Sequence, residues 1–183
     1  YTSRKISSGM NSDNPVIVAQ AAQLVTNIKY TDKHAAEDLQ KGDLLKSELI
    51  MDAQRNGRPV LDAISDFEKQ RKMTSKERKD RVAIGMNALD EDKITDRIDR
   101  LAEERAIVMH VKWNNWAADA PIESFEFTQT FKTNFLNYME ATGNVGVAER
   151  MAMDATTNEF DMSLRTGEPV WDRNQPDGMK GMD

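Results

Sequence analysis

The chain has 183 residues, with Lys+Arg 25 against Asp+Glu 31, a formal net charge of −6, charged residues at 31% and no cysteine. That balance argues against a dedicated duplex-DNA binder, which needs a basic face to neutralise phosphates. The lack of cysteine excludes a disulfide scaffold and a cysteine-ligated zinc site, and no run approaches the roughly 20 apolar residues of a membrane-spanning helix.

Helix starts and stops recur along the chain and almost nothing reads as strand, so the expected fold is all-α: an irregular helical bundle or α-solenoid of antiparallel helix pairs. Residues 1–13, rich in Ser, Asn and Lys, read as a flexible lead-in. The first helix opens at Asp13-Asn14-Pro15. Asn14 suits the cap, and Pro15 the first helical position, where its missing N–H would be unpaired anyway. Ile17, Ala21, Leu24, Val25 and Ile28 then form one apolar face at helical spacing. A second helix is expected over about 32–56, with Ala35, Leu39, Leu45, Leu49 and Ala53 inward and a bend at Gly42. Asn56-Gly57 closes it as a left-handed C-cap. Pro59 begins a short third helix with Val60, Leu61, Ile64 and Phe67 as its buried stripe.

Thr74-Ser75-Lys76-Glu77 has capping-box spacing and opens a fourth helix to about Leu89. Asp90-Glu91-Asp92 sits at the positive N-terminal end of a long fifth helix, about 93–118. Ile94, Ile98, Leu101, Ala102, Met109, Trp113 and Trp116 track one side of it. Pro121 starts a sixth helix carrying Phe125, Phe131, Phe135, Leu136 and Met139, Gly143 ends it, and a seventh covers about 145–157. Short connections pair 32–56 with 59–72, 75–89 with 93–118, and 121–142 with 145–157, as antiparallel neighbours. The helical domain is thus expected over 14–158. Residues 159–183 read as an extended or disordered tail, broken by Gly167, Pro169, Pro176, Gly178 and Gly181. The start at Tyr1 fits a processed N-terminus or a piece of a longer polypeptide.

Motifs for chemistry are sparse. His34 and His110 have no second His or carboxylate at ligand spacing. Glu103-Glu104, Glu123 with Glu126, and Asp90-Glu91-Asp92 read as solvated or dipole-pairing carboxylates rather than a glycosidase pair, which needs a cleft and a fixed separation. In Asp172–Gly178 the fifth loop position, Pro176, offers no side-chain ligand, so the segment reads as a turn and not an EF-hand. No phosphate-binding glycine loop or nucleophile elbow occurs. The expectation is a non-catalytic chain with no cofactor and no metal.

Two features suit contact instead. Lys69, Arg71, Lys72, Lys76, Arg78, Lys79 and Arg81 form the densest basic stretch. Of these, Lys72, Lys76, Arg78, Lys79 and Arg81 are the candidate patch for DNA or an acidic partner, against the plainer reading of a solvated helix junction. Trp113 and Trp116, three apart on one helix face, read as core or as a partner contact, because tryptophan is enriched at hot spots. Trp171 is a candidate anchor for the tail.

A resemblance adds a specific expectation. Thr128-Gln129-Thr130-Phe131 leads into Tyr138-Met139-Glu140-Ala141-Thr142-Gly143-Asn144 and Val145-Gly146-Val147-Ala148-Glu149-Arg150-Met151. Ala155-Thr156-Thr157-Asn158-Glu159-Phe160 and Thr166-Gly167-Glu168-Pro169-Val170-Trp171 follow. This wording, about a quarter of the chain, resembles segments of the internal virion (ejection) proteins of short-tailed phages, which are long, cysteine-poor helical chains. The resemblance implies a structural virion protein, expelled from the capsid core to help form a genome-delivery conduit. It implies copies of itself and other virion proteins as partners, and DNA within reach. No catalytic motif of that family falls on these residues, so none is carried over. The alternative expectation is a cytoplasmic helical-repeat adaptor for a protein or peptide partner. An enzyme using buried carboxylates is the third.

Overall fold

A computed structural model describes residues 2–31, 36, 37, 39, 41–113 and 120–166, with side chains over 5–31, 36, 37, 39, 41–91, 94–104 and 125–160. Among the described residues the regular elements are eight α-helices, with no strand, so the fold is all-α. The chain divides into two compact units, Tyr1–Ser75 and Lys76–Asp183, where the sequence suggested a single helical domain over 14–158.

The first unit holds α1 (Thr2–Met10), α2 (Pro15–Thr31), α3 (Lys41–Arg55) and α4 (Val60–Arg71). Helix α1 lies in the residues expected to be a flexible lead-in. Its Ile6 and Met10, one turn apart, are both buried, an apolar pair hidden in a polar composition. The carbonyl of Met10 accepts a 2.6 Å hydrogen bond from Lys46 Nζ on α3. Asn14 caps α2 as expected: its Oδ1 accepts from the Val16 N–H at 3.0 Å, and its carbonyl from the Val18 N–H.

Helix α2 is rotated from the expected face. It buries Val18, Ala21, Ala22 and Val25, and leaves Ile17 and Leu24 44% and 52% exposed. The helix is apolar on more than one side, so periodicity alone did not fix which side meets α3. The two helices run antiparallel, with Lys29 paired to Glu48 at 2.5 Å. Leu49 and Ala53 of α3 are buried as expected, together with Lys46, Ser47, Ile50 and Asp52. Gly42 stands in the first turn of α3 rather than mid-helix, so no bend arises there.

At the end of α3 the Arg58 N–H bonds the Ala53 carbonyl and the Gly57 N–H that of Gln54, with Gly57 at φ +70°. This is a Schellman motif, and the left-handed conformation is why glycine stands there. On α4, Phe67 is buried with Ala63, but Leu61 of the expected stripe is 59% exposed.

The second unit holds α5 (Ser75–Asp90), α6 (Asp92–Trp113), α7 (Ala120–Thr142) and α8 (Val145–Thr166). Helices α7 and α8 form an antiparallel hairpin. Gly143, at φ +65°, ends α7 by bonding its N–H to the Met139 carbonyl at 2.8 Å. Asn144 Oδ1 then caps α8 by accepting from the Val147 N–H at 3.0 Å. The hairpin core is a ladder of Phe127, Phe131, Phe135 and Met139 at four-residue spacing, against Ala148, Met151, Ala152, Ala155 and Phe160. Phe127 and Phe160 meet at 5.2 Å between centroids with planes at 56°, a favourable tilted arrangement. Asn134 Nδ2 donates to the fully buried Thr156 Oγ1 at 3.0 Å and ties the register.

Two expectations change here. Helix α8 runs to Thr166, so residues 159–166 are helical rather than tail, and Phe160 holds them to the core. The pairing of 75–89 with 93–118 is not lengthwise among the described residues. Glu91 alone separates α5 from α6, too short for the two to five residues that reverse an αα-hairpin. Helix α6 instead packs along α7, burying Ile94, Ile98 and Ala102. Helix α5 crosses α7 at Gly85, where an added Cβ would lie 2.8 Å from Met139 Cγ.

Candidate functional site

The basic stretch does not present its side chains uniformly. Lys72 follows α4 in the first unit and is exposed. In the second unit, Lys76 and Lys79 on α5 are exposed, while Arg78 and Arg81 turn onto the end of α7. Arg78 Nη1 reaches Glu140 Oε1 at 3.4 Å. Arg81 Nη1 donates to the carbonyl of Ala141 at 3.1 Å and to that of Glu140 at 3.5 Å. Those carbonyls are the unpaired, partly negative end of α7, where a cation is favoured. The Arg81 guanidinium also occupies the space beside Gly143, whose added Cβ would fall 2.9 Å from Arg81 Nε. Two of the five candidate patch residues therefore hold a helix end. In the second unit Lys76 and Lys79 remain as the outward part of the patch.

Trp113 is the last residue of α6, and its side chain lies outside the described residues, as do Trp116, Trp171, His34 and the side chain of His110. Glu103 and Glu104 are exposed, which suits the solvated reading. The turn at 172–178 lies outside the described residues. Among the described residues no three His, Asp or Glu converge in a way that would hold a metal ion, and no helix is long and apolar enough to cross a membrane.

Two features escaped the sequence reading. Lys46 is only 9% exposed, its ammonium fixed between the Met10 carbonyl and the Phe67 ring, 5.8 Å from the centroid. A buried lysine has no spacing signature, so nothing in the sequence marks it. The second feature is a set of large apolar side chains left outside: Val16, Ile17, Leu24 and Leu61 in the first unit, and Ile84, Met86 and Phe125 in the second. A shallow groove of about 270 Å³ runs beside the first of these, between Pro15, Val16 and Ala19 of α2 and Gln54 and Val60. What the described surface offers chemically is apolar area and amide groups for contact.

Comparison with protein-family models, curated proteins and solved structures finds no match to this chain.

Proposed function

We propose that this chain is a non-catalytic assembly module, part of a larger internal virion (ejection) protein of short-tailed phages, and that copies of it stack with one another and with other virion proteins along a genome-delivery conduit. The observation that carries this reading is the outward set of large apolar side chains on both units. Covering one such half-exposed side chain contributes on the order of 1 kcal/mol, and association costs at least about 4 kcal/mol. A single patch is therefore marginal, and contacts repeated through both units suit a multimer better than one small partner. The resemblance over 128–171 supports the virion assignment. That segment includes the α7–α8 hairpin, whose tight caps and aromatic ladder make a stiff building block. The virion is the corresponding location.

Negative-stain electron microscopy of the purified chain tests the reading. Rings, tubes or stacked multimers are the expected result. A dispersed monomer that captures a peptide ligand would overturn it in favour of the cytoplasmic adaptor.

A further inference from the structure

From Pro15 to Ile28 the chain carries no charged residue, in a protein with 31% charged residues overall. Those residues form most of α2. Its outward face carries Val16, Ile17, Gln20, Gln23, Leu24 and Asn27, all exposed. The first charge beyond it, Lys29, is bound to Glu48 of the same unit. The face is thus apolar and amide-bearing, with its nearest cation already neutralised.

We propose that the outward face of α2 is where two copies of this chain meet, a contact that rests on the assembly reading and gives it a surface. Charge selects a second copy as the occupant. Two molecules of formal net charge −6 repel, and they approach at least cost through a face that brings no like charges together and buries no ion. A nucleic acid or an acidic peptide finds no cation there, and a basic peptide finds no carboxylate. The amides of Gln20 and Gln23 each donate and accept, so each can pair with the same group in another copy, as a two-fold interface requires. The groove of about 270 Å³ alongside Val16 and Ala19 leaves a recess for an apolar side chain of the other copy.

The test is sedimentation velocity of the full chain, as wild type, as Gln20→Glu/Gln23→Glu and as Gln20→Lys/Gln23→Lys. Both positions are exposed, and Glu and Lys are good helix formers, so circular dichroism should be unchanged. Each variant alone should associate at least tenfold more weakly than wild type, with partial recovery in high salt as repulsion is screened. An equimolar mixture of the two variants should associate again, because opposite charges then face each other. Association of either variant equal to wild type, or a mixture no stronger than its components, overturns this surface and leaves the assembly reading standing on another one. A wild type that stays monomeric at every concentration overturns both.

Discussion

Two glycines in similar helices have opposite tolerances. At Gly42 an added Cβ comes no closer than 3.9 Å to the Phe67 ring, an ordinary contact, so Gly42→Ala should stabilise the chain by up to about 1 kcal/mol through helix propensity. At Gly85 the same gain is opposed by a 2.8 Å clash with Met139. Overpacking typically costs about 1–3 kcal/mol, so Gly85→Ala should be destabilising by up to about 2 kcal/mol. Urea unfolding of the two variants checks both signs, and a stabilised Gly85→Ala would show that α5 is not held against α7 there. Lys46→Met tests the buried cation. It keeps the volume but leaves the Met10 carbonyl without its 2.6 Å donor, a loss of about 1–3 kcal/mol. Hydrogen exchange should rise over residues 2–10 before it rises elsewhere.

At this scale the sequence was legible where backbone chemistry dictates residue type. Asn14, Gly57 and Gly143 stand where caps and left-handed turns require them. It was not legible where a side chain acts through the fold. Arg81 lies in a run of solvent-type residues, and only the return of α7 brings carbonyls for it to hold.

The hairpin of α7 and α8 carries the next prediction. Phe160 lies beyond the expected end of its helix but is 1% exposed against Phe127 and Ala102. Phe160→Ala should cost about 3–5 kcal/mol, the usual range for a buried aromatic, measured by urea unfolding followed by circular dichroism. A loss below 1 kcal/mol would mean that residues 159–166 are the loose tail the sequence suggested. Helix existence was readable from 3.6-residue spacing, but three details were not. Helix α1 has only Ile6 and Met10 on its buried stripe, too few to show a period. Helix α2 is apolar on several sides, so its inward face was off by about one residue. The α5–α6 pairing was inferred from a short connection, but a connection of Glu91 alone turns the chain without reversing it.

For the molecule as a whole, the question is whether contact or charge organises its partners. The candidate basic patch loses Arg78 and Arg81 to α7, and the formal net charge is −6. Lys76→Glu with Lys79→Glu should therefore leave retention on immobilised duplex DNA at low salt unchanged. Those two positions can be altered without uncapping α7, so a marked loss of retention would identify a real phosphate-contacting surface. The all-α class was legible from helix punctuation. The division at Ser75–Lys76 was not, because the 72–75 connection resembles the other short turns in composition. The outward apolar residues were not legible either, since at sequence level they look like core.

Self-association is the central claim, and mass photometry of the purified chain tests it most directly. Species at multiples of 20.8 kDa, growing with concentration, are the predicted result. A single 20.8 kDa species over the whole accessible range would contradict it.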